Sequence, residues 1–143
     1  MTTSVLEHVK SLHTASIDAR NGYEEARDDA HGAGMTPLFH EMIALHTKNA
    51  ADLAHVLERS GERADEHGSF MSEVHKAVIS VRSLFGGLGK SVIPGLIDGE
   101  KRNVSHYDHV LDDAETPPDI RETLLHNRER LEEAIAKMEA LKA

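Results

Sequence analysis

One carboxylate stands in this sequence where a hydrocarbon is expected. Over residues 91–111, Ile93, Leu96, Val104, Tyr107 and Leu111 recur at spacings of three and four, which predicts a helix with one buried face. Glu100 falls on that face, between Leu96 and Val104. In low dielectric a carboxylate must be hydrogen-bonded, ion-paired, protonated or bound to a metal ion. A second polar interruption lies on the stripe Phe39, Met42, His46, Asn49, Leu53 and Val56. If His46 and Glu100 face each other across a helical core, they are candidate ligands for one iron, manganese or zinc ion. The same pair, with Asn49, Asn127 and the hydroxyls of Tyr23 and Tyr107, can instead form a structural layer that fixes helix register. The residue types favour this structural layer, because the chain puts few good donors around that one acid.

These side chains need helices to hold them, and the chain supplies four long ones. The first begins near Thr3 or Ser4, where Ser4 and Glu7 have capping-box spacing, and turns Val5, Val9, Leu12, Ser16, Ala19, Tyr23, Ala26 and Ala30 inward. His31-Gly-Ala-Gly34 stops it. Thr36-Pro37 opens the second helix, with the threonine as N-cap, and Gly61 closes it. A charged loop over 62–68 and a shorter helix over 69–85 make a connection long enough to cross a bundle. The third helix runs over about 91–112; its Gly95 and Gly99 are expected to let a neighbour approach beside Glu100. Thr116-Pro117 opens the fourth, with Ile120, Leu124, Asn127, Leu131, Ile135, Met138 and Leu141 inward. No stretch reads as a strand, so the fold class is all-α.

Bulk composition narrows the function. At 143 residues with a net charge of −9, the chain reads as a single domain over 1–143. Its acidity argues against duplex nucleic acid and anionic membranes. No apolar run is long enough for a membrane span and no signal-peptide pattern is present, so a cytoplasmic location is expected. The absence of cysteine excludes disulfides and thiolate chemistry. Phosphate-binding glycine loops, nucleophile elbows and HExxH helices are also missing. The 11 histidines admit metal binding or a pH response centred on His46, although His8, His31, His55, His67 and His109 read as surface positions.

The two halves of the chain look alike. Residues 16–30 can be laid on 100–114, so that Tyr23 meets Tyr107 and Asp28-Asp29-Ala30 meets Asp112-Asp113-Ala114. Downstream, Thr36-Pro37 answers Thr116-Pro117, and Leu45-His46 recurs as Leu125-His126. Two helical hairpins joined by one long crossover would follow.

On residues 18–23 (DARNGY), the helix over 39–53, Asp98-Gly99-Glu100 and Tyr107, the chain resembles the ferritin-like superfamily. Within that superfamily it is similar to a bacterial family of small stand-alone four-helix bundles of unknown function. The resemblance implies an antiparallel four-helix bundle with an additional short helix in the crossover between helices 2 and 3. Ferritin-like metal enzymes carry one carboxylate on helices 1 and 3 and an ExxH pair on helices 2 and 4. Carried over, those positions are Ser16, His46 with Asn49, Glu100, and Asn127 with Arg130. An alternative alignment puts His126 and Glu129 on the fourth helix, while Asp18, Glu24 and Glu25 lie off the inner stripe of the first. The expectation is a non-catalytic bundle without a cofactor, forming a homodimer or higher homo-oligomer, with a stress-associated or structural role. The rival is a divergent metalloprotein using His46 and Glu100 to hold one or two ions for redox or storage chemistry.

Overall fold

The computed structural model describes residues 3–29, 35–62 and 92–142. They form four α-helices and no strand: α1 Thr3–Asp29, α2 Thr36–Arg59, α3 Ile93–Leu111 and α4 Pro118–Lys142. The expected helix over 69–85, most of the loop over 62–68, Ala30 and the stop at 31–34 lie outside the described residues. No described helix is long and apolar enough to cross a membrane.

Proline marks the starts. Pro37 and Pro94 sit in the first turns of α2 and α3, where a missing N–H costs nothing. The expected threonine caps are not what opens α2 and α4. Met35 is the N-cap of α2, its carbonyl accepting from the Phe39 N–H at 3.0 Å. The Thr116 hydroxyl donates back to the Val110 carbonyl at 2.8 Å and so closes α3. Ser4 already lies within α1 and is no cap. Arg121 covers further carbonyls at the end of α3, those of Leu111 and Asp113, where its positive charge also meets the negative end of the helix dipole. Gly61 does end α2 as expected. With φ at 79° it takes the left-handed turn, so that Gly61 N–H reaches Glu58 O at 3.1 Å and Glu62 N–H reaches Leu57 O at 2.9 Å.

The packing is a closed square in which α1 contacts α2 and α3, and α4 contacts α3 and α2. Surface pairs report the directions. Lys10 at the start of α1 meets Glu62 just past α2, and Arg59 at the end of α2 meets Asp119 at the start of α4. Lys101 early in α3 meets Glu139 late in α4. His8 near the start of α1 meets His109 near the end of α3. Each helix is therefore antiparallel to both neighbours and parallel to its diagonal partner. The end of α2 and the start of α3 accordingly lie at opposite ends of the bundle. Such exposed pairs contribute little stability individually; they mark the arrangement that the core enforces.

That core is built from the stripes read in the sequence. Val5, Val9 and Leu12, Phe39, Met42 and Leu53, Ile93 and Leu96, and Ile120, Leu124 and Leu131 are all buried, each fully buried large aliphatic contributing about 1.5–3 kcal/mol. Leu141 departs from the expectation: it is 42% exposed, in the last turn of α4. The repeat holds between α1 and α3, where Leu12 and Leu96, and Tyr23 and Tyr107, occupy corresponding buried positions. Between α2 and α4 the register differs from Leu45-His46 on Leu125-His126, since His46 is buried while Leu125 and His126 are exposed. Asn49 and Asn127 are the residues that correspond.

Among the described residues, the two glycines of α3 do not serve a close approach: a Cβ at Gly95 would meet none of them within 4 Å, and one at Gly99 only the flexible tip of Arg102 at 3.8 Å. Gly99→Ala should therefore stabilise the fold by about 0.5–1 kcal/mol, through helix propensity alone. Thermal denaturation should show a rise of roughly 2–4 °C; a fall would mean that the missing Cβ makes room for a helix.

Candidate functional site

Glu100 lies at the centre of the bundle, fully buried, and its partner comes from the diagonal helix. His46 Nε2 is 2.8 Å from Glu100 Oε2, both side chains being almost entirely enclosed. Asn103, one turn further along α3, donates its Nδ2 to the other carboxylate oxygen at 3.1 Å. Both oxygens of the acid are thus engaged by protein groups, whichever partner holds the proton shared with the imidazole. The Tyr23 ring stacks on His46, with centroids 5.7 Å apart and planes at 17°.

Tyr23 was expected to anchor its hydroxyl in the polar layer. It does not: neither Tyr23 OH nor His46 Nδ1 has a hydrogen-bond partner. Stacking against the imidazole fixes the ring instead. Burial pushes the Tyr23 phenol well above its ordinary range, and the negative field of Glu100 adds to that. Tyr107, by contrast, is anchored: Asn127 Nδ2 donates to its hydroxyl at 3.3 Å. Its phenol is also raised, chiefly by burial, against the hydrogen bonds of Asn127 and Ser16.

A second polar layer continues from Tyr107 towards the α2–α4 edge. Asn49 Nδ2 donates to the Asn127 carbonyl, and Asn127 Nδ2 to the Asn49 carbonyl, both at 3.4 Å. Arg130 Nη1 closes the layer, donating to Asp52 at 2.7 Å, Asn127 Oδ1 at 2.9 Å and Asn49 Oδ1 at 3.1 Å. Burial alone would raise the Asp52 carboxyl, but hydrogen bonds from Arg130 and Lys48 outweigh it and hold the acid below its ordinary value. Asn103 and Asp52 were not singled out from sequence. Their signal was spacing: Asn103 follows Glu100 by one turn, and Lys48 and Asp52 form an i, i+4 pair.

The structure thus brings His46 and Glu100 together and leaves the alternative pair apart from them, since His126 and Glu129 are exposed. Asp18 differs from the expectation that it lies off the inner stripe: it is buried, at 9% exposure, as is His13 at 2%. α1 is flanked by helices on two sides, which widens its buried arc beyond one stripe. The positions carried over from the ferritin-like resemblance now hold Ser16, His46, Asn49, Glu100, Asn127 and Arg130. They offer one carboxylate, one imidazole and a guanidinium, which has no lone pair to give and repels cations. This donor set does not fit a pair of metal ions. Among the described residues no group of three or more His, Asp or Glu side chains is arranged to enclose an ion.

Removing one partner of the buried pair should cost more than removing both. His46→Leu leaves the acid without its main partner and should lower stability by roughly 3 kcal/mol. Adding Glu100→Leu should restore most of that loss in urea denaturation, since an apolar pair fits the surrounding stripe. Asp52 makes a separate prediction. Because its folded pKa lies below the ordinary carboxylate value of 3.8, its contribution is complete above that value and is lost as the pH falls through the lower folded one. Asp52→Asn should therefore reduce stability by about 1 kcal/mol at pH 7 and flatten the acid limb of the stability profile below pH 4.

No curated protein matches the chain significantly. A family match covers residues 4–113, the span that holds α1, α2 and α3 and with them His46, Asn103 and Glu100. The chain belongs to that family, described as a domain of unknown function (DUF2383).

Proposed function

We propose that this chain is a non-catalytic, ferritin-like four-helix bundle whose buried polar seam sets helix register and whose role is exerted at its surface. The arrangement of the four helices supports the ferritin-like reading: every neighbour is antiparallel, and α2 and α3 run parallel on a diagonal. The observation that carries the non-catalytic reading is the saturation of Glu100. His46 occupies one of its oxygens and Asn103 the other, and Arg130 stands at a carried-over ligand position. An acid whose two oxygens are both held by neighbouring side chains is better suited to fixing helix register than to meeting a substrate. Function then falls to association, with a homodimer or higher homo-oligomer as the expected form and a stress-associated or structural role.

A second reading has one observation in its favour. His46 Nδ1 and Tyr23 OH are buried without hydrogen-bond partners, beside an acid and an imidazole of ligand chemistry. A single iron, manganese or zinc ion held by His46 and Glu100 would make the chain a divergent metalloprotein.

Elemental analysis decides between the two. The purified protein, with and without added iron(II), zinc or manganese, should carry no metal whose stoichiometry depends on Glu100. Metal bound near one equivalent in the wild type and lost in Glu100→Ala would overturn the structural reading.

A further inference from the structure

Three histidines outside the buried seam lie at one edge of the bundle. A cleft of about 120 Å³ between α1 and α3 is lined by His8, Ser11, Leu12, His106, His109 and Val110. The His8 and His109 rings stand edge to face, with centroids 5.3 Å apart and planes at 71°. His8 Nδ1 is closed off from solvent and makes no hydrogen bond, an arrangement that costs free energy unless an acceptor, donor or Lewis acid meets it.

We propose that this cleft is a transition-metal site in which His8 and His109 bind one divalent ion of imidazole preference, with His106 as third ligand. The spacing fits the chemistry. Two imidazoles on one tetrahedral zinc ion, each with a Zn–N distance of ~2.0–2.1 Å, place their ring centres roughly 5.2 Å apart. His106 precedes His109 by one helical turn, lines the same cleft and is exposed, so its ring is free to rotate towards a bound ion. No described group of three is already closed around such a point; the site is an open pincer that the third imidazole completes. Among the described residues no lysine or arginine lines the cleft, and the chain's net charge of −9 favours a cation. The inference is independent of the buried pair, which lies inside the bundle and uses different residues.

Zinc titration of the metal-stripped full-length protein tests the proposal, by calorimetry and by the rise in Tm that a ligand of the folded state produces. Wild type should bind one equivalent in a manner unaffected by Glu100→Ala, which separates this site from the buried one. His8→Gln, His106→Gln and His109→Gln should each weaken binding by about tenfold or more. His109 is exposed, so His109→Gln should keep the metal-free Tm of wild type and lose only the zinc-dependent rise. His126→Gln, at an exposed position on α4, should bind as wild type does. Failure to take up zinc, full-strength binding in any one of the three cleft variants, or an equal loss in His126→Gln would overturn the assignment.

Discussion

The enclosure of Glu100 constrains this bundle more tightly than any apolar contact does. The carboxylate is fully buried and its main partner, His46, lies on the diagonal helix, so the bond runs through the middle of the square. That bond forms in one axial register of α2 against α3. A slip of one residue turns a helix by 100° and would carry the acid into a hydrocarbon layer, with the desolvation penalty of a bare polar group. Leucine against leucine tolerates such slips at modest cost, because any branched aliphatic side chain fills similar volume. The pair adds little net stability over an apolar isostere; its effect is to raise the energy of the wrong registers.

The second polar layer works the same constraint from the other side. Asn49 and Asn127 exchange side-chain donors for each other's backbone carbonyls, an arrangement that requires the two residues to lie opposite one another on antiparallel helices. Arg130 then gathers both amide oxygens and Asp52 with one guanidinium nitrogen, so the layer ends in an ion pair at the bundle edge. Tyr107 joins this layer through Asn127, while Tyr23, its counterpart in the repeat, stacks on His46. The two halves share a buried scaffold but differ in polar content. Where one half has Glu100 on α3, the other has Ser16 on α1, whose hydroxyl turns back to the Leu12 carbonyl.

The helices and the inward stripes were legible because burial imposes a period of three to four residues, and every stripe residue described on α2 is buried. The pairing of His46 with Glu100 was legible for a related reason: each interrupts an apolar face, and buried polar groups find one another. Less visible were features decided by local geometry at element ends. Thr36 and Thr116 have the side chains of N-caps, yet α2 starts from Met35 with no side-chain cap, and the Thr116 hydroxyl is given to the Val110 carbonyl at the end of α3. Gly99 looked like a packing glycine, but whether a Cβ has room depends on the approach of another helix, which composition does not encode. Asn103 and Asp52 were hidden because a polar residue at the margin of a stripe is indistinguishable in sequence from a solvated one.

The contrast between the buried pair and the edge histidines turns on availability rather than residue type. A side chain of ligand chemistry is useful to an ion only if its lone pair is not already committed. Glu100 has the chemistry, yet His46 Nε2 holds one of its oxygens at 2.8 Å and Asn103 the other, which leaves His46 Nδ1 as the unpartnered nitrogen of the pair. To bring both His46 Nε2 and Glu100 Oε2 onto one metal ion, the bundle would have to break its register-setting bond in the layer where apolar packing allows least movement. His8 and His109 face each other without a hydrogen bond recorded between them, at a cleft that opens to solvent, and Ser11 at its rim adds a neutral oxygen rather than a competing cation. An ion held there would exchange the edge-to-face contact of the two rings for coordination by both of them. On the proposed reading, the centre of this bundle holds the helices in register and an ion is left to the edge histidines.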